Sequence, residues 1–291
     1  MTEGVLHKVE DKRRLGKKIA ERLRKSPEVR PFPAVITQVL AACNDPNANS
    51  KKFESIIECD PALAGKTLRF ANSPLFCPTV EVKSIAQAVS LLGLRKLRSL
   101  AMSVAGASMF SSGDRAKNQR QRLWNHSVGC AVVARNVAGY VPGVDPDPAF
   151  LAGIFHDVGK LLFYDEIPDE YAAIDDAFSG TRLIEEEQFV LGTTHEIVGH
   201  TSAECWDLPD EIQSAIGWHH CPDVVKSCQK FTQAINIADR LAHHWGIGSD
   251  AKPEEHQLDQ IAHGLGVTTS QLESIETESR RSFDETMAVA R

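Results

Sequence analysis

The sequence predicts an all-α protein, and three observations carry that expectation. Apolar residues recur at helical spacing in successive segments, as in Leu15, Ile19 and Leu23 or Phe53, Ile56 and Ile57. Start and stop signals punctuate those segments: Asp60-Pro61 and Ser84 open helices, and Gly93 closes one. A proline-rich reversal, Pro142-Gly143-Val144-Asp145-Pro146-Asp147-Pro148, then separates two long apolar runs, as an antiparallel helical pair requires.

Taken in order, Lys8 to Lys25 forms a basic lead-in helix with a thin apolar stripe, ended by Pro27, Pro31 and Pro33. It reads as a solvated helix, not as a contact for nucleic acid or membrane. Val35, Val39, Leu40 and Cys43 mark a helix stopped by Asn44-Asp45-Pro46-Asn47. Asn49 or Ser50 caps the next, and Asp60-Pro61 opens a third that runs to Ala71-Asn72-Ser73-Pro74. A fourth spans Ile85 to Leu92, and Leu94 to Met109 continues as a further apolar helix. None of these carries clustered chemical side chains, so the first half reads as scaffold or docking surface. Ser111-Ser112-Gly113-Asp114 is the expected internal boundary.

Beyond it, a helix opens at Leu123-Trp124-Asn125-His126 and runs through Val137, with His126 near its start. The next ends in Phe155-His156-Asp157-Val158-Gly159-Lys160, and the reversal brings His126 toward the His156-Asp157 pair. Asp165 to Asp176 reads as an acidic segment after the helix gives way. A helix over Ile184 to Val190 presents Glu185, Glu186 and Glu187 to solvent. Thr193 and Thr194 cap a helix in which His195 and Gly199 share a face, the glycine allowing close packing. Ile212 to Trp218 leads into His219-His220, and Phe231 to Ala242 carries Asp239.

Composition narrows the function classes. With 291 residues, 42% hydrophobic and 24% charged, the chain can bury a large core. A net charge of −7 argues against a general nucleic-acid binder. No stretch reaches the length of a membrane span and no signal-peptide core stands at the N-terminus. The seven cysteines are scattered without a Cys-x-x-Cys pair, which fits reduced thiols in the cytoplasm. The spacing around Gly153 to Lys160 is not that of a phosphate-binding Walker loop, His195-Glu196 with His200 is not His-Glu-x-x-His, and no Gly-x-Ser-x-Gly occurs.

What remains is a set of five imidazoles and two carboxylates: His126, His156, Asp157, His195, His219, His220 and Asp239. Nitrogen and oxygen donors without thiolate suit a divalent transition metal, namely iron, manganese, zinc or nickel. Seven donors exceed the needs of one ion. Two ions about 3.5–4 Å apart and sharing Asp157 as a bridge would use them all, as in two-metal phosphoryl-transfer sites. Asp157 is then catalytic as well as a ligand. Lys160 is the candidate to stabilise negative charge on a phosphoryl group, unless it is a surface lysine at a helix C-terminus. His200, His243 and His244 are expected to stay outside the cluster.

These residues, in this order and with the His195-x-x-x-Gly199 spacing, resemble the HD superfamily of metal-dependent phosphohydrolases. The first half resembles something narrower, the HDOD family, through Pro31-Phe32-Pro33, Asp60-Pro61-Ala62-Leu63, Ala71-Asn72-Ser73-Pro74, Ser84-Ile85-Ala86-Gln87-Ala88-Val89 and Leu91-Leu92-Gly93-Leu94. That resemblance covers roughly residues 20 to 245. It implies an N-terminal helical subdomain plus an HD-type helical core in a bacterial signalling protein. HDOD domains mostly lack several metal ligands and act as regulatory modules, whereas this chain keeps the whole set. Cys221-Pro222-Asp223 stands where the HD-GYP phosphodiesterases of cyclic di-GMP carry their signature, so that substrate is not expected.

The expected organisation is a basic lead-in helix at 1–30, the N-terminal subdomain at 31–112, the metal-binding core at 113–250 and a helical tail at 251–291. The tail has a helix-turn-helix look at Leu258 to Leu272, but without arginines for phosphate it reads as a pair of packing helices. Two functions stay open: a signal-transduction protein acting on an unidentified protein partner, or a phosphohydrolase acting on a nucleotide or other phosphate ester.

Overall fold

The computed structural model describes residues 37–39, 41–42, 49–73, 80–111, 116–247 and 258–290. The expected lead-in helix with its proline stop, the Asn44 to Asn47 stop, the Ser112-Gly113-Asp114 break and the linker opening the tail lie outside those residues. Every regular element among the described residues is helical, so the fold class is all-α.

Residues 37–39 and 41–42 are helical, and α1 (Ser50–Glu58), α2 (Pro61–Ala71) and α3 (Ile85–Ser111) follow. Asn49 caps α1 by accepting from the Lys52 amide at 3.2 Å, Asp60 caps α2 through Leu63 at 3.1 Å, and Ser84 caps α3 through Gln87 at 3.1 Å. The Asn72 amide clamps the α2–α3 connection. Its Nδ2 donates to the carbonyls of Leu68 and Val82 at 2.9 and 2.8 Å, and its Oδ1 accepts from the Val82 amide at 2.7 Å. The expected stop at Gly93 is a break inside α3, where φ 79 and ψ 161 suit glycine alone. Helices α1 and α2 pack on α3, and α3 packs on α4 (Lys117–Tyr140) and α5 (Pro146–Phe155).

Helix α4 is the centre of the molecule, buried without interruption from His126 to Ala134. It starts at Lys117, not at Leu123, so His126 sits in its third turn and not near its beginning. The α4–α5 hairpin forms as the reversal predicts, with Asp145 capping α5 through the Asp147 amide at 3.0 Å. The two backbones nearly touch: a Cβ on Gly153 would lie 2.4 Å from Ala131 Cα and 2.6 Å from its N. Backbone cannot yield as a side chain can. Gly153→Ala should therefore cost about 3 kcal/mol of stability, read as a lower denaturation midpoint at unchanged m-value.

The rest comprises α6 (Val158–Glu166), α7 (Pro168–Asp175), α8 (Gly180–Leu191), α9 (His195–Cys205), α10 (Asp210–Trp218) and α11 (Gln229–His244), then α12 (Leu258–Gly264) and α13 (Thr269–Ala290). The acidic stretch Asp165 to Asp176, read from sequence as the end of helix, is mostly helical. Pro168 at the first position and Asp169 and Glu170 in the first turn favour α7 there. The two tail helices pack onto the body. Asn136 donates to Ser279 at 2.7 Å, Trp245 Nε1 donates to Glu276 at 2.9 Å, and Ile275 is fully buried. No helix of the described residues is long and apolar enough to cross a membrane.

Candidate metal centre

Helix α5 stops at Phe155, and the histidine–aspartate pair forms the joint between α5 and α6. His156 closes α5 in helical geometry, while Asp157 at φ −99 and ψ 16 leaves it and precedes α6. This bridge conformation turns both side chains toward the same buried space, which a continuous helix would not do. Lys160 therefore lies in the first turn of α6, buried, with Nζ 2.8 Å from Asp157 Oδ2. The alternative reading of a surface lysine at a helix C-terminus does not hold.

The five candidate imidazoles gather around Asp157, and Asp239 joins them from α11. Its Oδ1 faces His195 Nε2 at 3.3 Å and His219 Nε2 at 3.6 Å. Its Oδ2 faces His156 Nε2 at 3.5 Å and His126 Nε2 at 3.8 Å. Asp239, on α11, places Oδ1 3.0 Å from His126 Nε2 and 3.7 Å from His156 Nε2, with Oδ2 3.9 Å from His220 Nδ1. One carboxylate thus divides two sets of donors: His126 and His156, joined by Asp239, on one side and His195, His219 and His220 on the other.

The outer nitrogens settle which way the imidazoles are wired. Nδ1 of His126, His156 and His219 faces the carbonyls of Ile247, Gly153 and Ala215 at 3.1, 2.9 and 3.1 Å. A carbonyl only accepts, so each Nδ1 carries the proton; the Nε2 lone pairs of His156 and His219 turn inward, while His126 Nε2 hydrogen-bonds Asp239 Oδ1 at 3.0 Å. His195 Nδ1 likewise meets the Glu187 carboxylate at 2.9 and 3.0 Å. Inside, Nε2 of His195, His219 and His220 has no hydrogen-bond partner, and neither oxygen of Asp157 accepts an aligned hydrogen bond, although Oδ2 keeps its ion pair with Lys160. Buried lone pairs left this way are costly unless a cation meets them. The donor set fits divalent transition-metal ions.

The field agrees with that wiring at His156 and His220, and favours a second proton at His219. Burial pushes the Asp157 carboxyl up, but the Lys160 ammonium and the surrounding imidazoles overcome it and hold it well below the usual carboxylate range. Asp239 is held low against its burial by His243, His126 and His156. Burial pushes His156 and His220 down. For His219 burial acts the same way, yet Asp157, Glu196 and Asp239 together carry it up to about 9.

Three participants differ from the sequence reading. Glu187, expected in solvent with Glu185 and Glu186, is fully buried and accepts from Tyr171 Oη at 2.6 Å and the His195 amide at 2.8 Å. The signal was present: Leu183, Glu187 and Leu191 follow one another at intervals of four on the buried face of α8. His243, set aside as a non-ligand, has Nε2 3.3 Å from Asp239 Oδ1 and completes a third donor group with His126. Its spacing of four from Asp239 pointed there. Glu196, in the first turn of α9, holds the His220 amide at 3.1 Å. His200 and His244 stay outside, the first against Trp218 and the second exposed. Because Glu187 fixes both the tautomer and the direction of His195, Glu187→Gln should weaken metal affinity by about 10–100-fold, measured by competition with a chelator.

Among the described residues, openings on two sides reach the cluster. The one beside Lys160, His126 and His243 has room for about one water molecule. The other, a cleft of about 630 Å³ between α11, α12 and the Pro222–Val224 turn, touches the cluster at His220 and is lined by Asn236 and Arg240.

Comparisons with known proteins agree with this architecture. The HDOD domain profile matches residues 29–222. A solved HDOD domain protein of unknown function from Geobacter sulfurreducens is 25% identical, with a TM-score of 0.76 over 96% of this chain and 99% of that one. A protein from Shewanella amazonensis SB2B provisionally named a phosphohydrolase is 22% identical, with a TM-score of 0.72 over 93% of this chain and 96% of that one. A Marinobacter aquaeolei VT8 protein provisionally named for signal transduction is 22% identical, with a TM-score of 0.73 over 97% of this chain and 65% of its own. An uncharacterised Treponema pallidum protein is 25% identical over 71% of this chain, which spans only 40% of that protein's length.

Proposed function

Since the chain belongs to the HDOD domain family, we propose that it is a cytoplasmic signal-transduction module of a bacterium whose HD-type core binds two divalent transition-metal ions and acts on a protein partner. The observation that carries the reading is the inward Nε2 of four buried imidazoles around Asp157, each fixed by an acceptor on its outer nitrogen. A core that merely retained these residues as packing would gain nothing from leaving Nε2 of His195 and His219, and both oxygens of Asp157, without an aligned hydrogen bond.

In this reading His126, His156 and Asp239 would hold one ion, His195, His219 and His220 would hold the other, and Asp157 would serve both. His243 stands by the first. Such ions, when bound, supply Lewis acidity toward phosphoryl oxygens. Lys160 neutralises the shared carboxylate, and Glu187 and Glu196 orient the donors on α9 and at the end of α10. The first-half helices offer the partner its surface.

The second reading is a phosphohydrolase acting on a nucleotide or other phosphate ester, with Asp157 and Lys160 at the reacting centre. It draws on the cleft that ends at His220, where Arg240 could meet a phosphate. In that case Asn236 and Arg240 orient the ester, and the buried Lys160 balances charge from the far side.

Elemental analysis of the purified protein tests the shared premise: about two equivalents of iron, manganese, zinc or nickel are expected. Zero, after reconstitution as well, would end both metal readings. Hydrolysis of bis-p-nitrophenyl phosphate by the manganese-loaded protein, abolished in His156→Ala, would move the assignment to the enzyme. Two ions without turnover, together with partner binding disturbed by surface changes on α1 and α2, is the result expected of a signalling module.

A further inference from the structure

Outside the metal centre, a cavity of about 410 Å³ lies where α2, α3, α4 and α13 meet. Its size is ordinary for a small-molecule site. Its sign is not ordinary for this chain. Lys66, Arg69 and Arg120 line it, the last also paired with Asp165, and no carboxylate is among the described residues that do, although the whole chain carries −7. Its wall is aromatic, from Phe70 and from Phe110 and Trp124, whose ring centroids lie 5.3 Å apart.

Two further observations point to a ligand. Ser73 and Thr286 line the cavity, each only 1% exposed, and their hydroxyl oxygens have no hydrogen-bond partner. A buried hydroxyl left so costs about 1–3 kcal/mol, and a polar group of a bound molecule would recover it. Neutral polar groups at Gln121 and Asn125 complete the lining.

We propose that this cavity binds a small aromatic anion of nucleotide size, a nucleoside monophosphate by class. The phosphate lies toward Lys66 and Arg69 on α2, the base stacks on the Phe70, Phe110 and Trp124 wall, and the ribose and base edges reach Ser73, Thr286 and Asn125. Stacking on an aromatic face tolerates any base, while paired cations select the phosphate. The site draws on all three parts of the chain: the first-half helices, the core and the tail. It does not depend on metal at His126, one residue beyond Asn125.

Calorimetric titration of the full chain with AMP, GMP, CMP and UMP tests the proposal, with adenosine and inorganic phosphate as partial probes. At least one monophosphate should saturate at one site. Its affinity should fall about tenfold in Lys66→Ala and again in Arg69→Ala, two changes at solvent-reached positions that leave thermal unfolding unmoved. Binding should persist after dialysis against a chelator. The absence of saturable binding up to about 1 mM would overturn the proposal. So would adenosine binding as tightly as AMP, or binding that disappears with the metal and ignores both α2 cations, since the nucleotide would then sit at the metal centre. Failure here leaves the elemental analysis untouched, so the two proposals fall separately.

Discussion

Asp157→Asn should empty the centre of metal while keeping the side chain's volume. Both sets of donors meet at this carboxylate, His195 and His219 at Oδ1 and His126 and His156 at Oδ2. An amide cannot bridge two cations, so metal content should fall from about two equivalents to below about one. The same change strands Lys160, whose ammonium is buried 2.8 Å from Asp157 Oδ2. Removing one member of a buried pair costs about 3–5 kcal/mol, so the variant should also unfold earlier. The two losses can be separated. Asp157→Asn with Lys160→Met removes the stranded charge, and should recover most of the stability and none of the metal. Metal retained at two equivalents in either variant would show that Asp157 is not the bridge.

Gly159→Ala should produce the second large loss, by a steric route. A Cβ there would stand 1.9 Å from the carbonyl oxygen of His195 and 2.9 Å from its Cα. Helix α6 cannot accept it without moving off α9, and α9 carries His195 and Glu196. A cost above about 3 kcal/mol is expected, with the His195 side of the centre losing its ion first because His126, His156 and Asp239 lie on other helices. Gly199 faces the same crossing, but a Cβ there would first meet Ile216 Cγ2 at 2.8 Å, the end of a side chain. Gly199→Ala should therefore be the milder change, and Ile216→Leu, which lacks the β-branch methyl, should restore part of it. Equal thermal shifts for the two glycines, with metal undisturbed, would refute this account of the crossing.

Much of the fold was legible because its signals are local. Asn49, Asp60 and Ser84 bond to amides three residues ahead, and Asp145 to the amide two ahead, so their effect needs nothing distant. The break at Gly93 is equally local. Boundaries were less legible: the start of α4 and the helix at Pro168–Asp175 depend on what packs against them, as Arg120 with Asp165 and Tyr164 with Asp175 show. The candidate site was legible as a list of donors in order. Glu187 was not, because a glutamate within Glu185-Glu186-Glu187 looks solvated until the opposite wall is known, here Tyr171 and the start of α9.

The sequence by itself determined an all-α chain, its caps, the reversal between two apolar helices, and a set of imidazoles and carboxylates without thiolate. These follow from spacing along the chain and from side-chain chemistry. Only the tertiary structure decided that the joint at Asp157 turns one carboxylate between two groups of histidines, that Lys160 is buried against it, and that Glu187 and His243 belong to the same assembly. Those facts turn on the direction of a side chain and on which backbones approach closely. Both are fixed when helices from α4 to α11 close around a shared space, not by any residue's immediate neighbours.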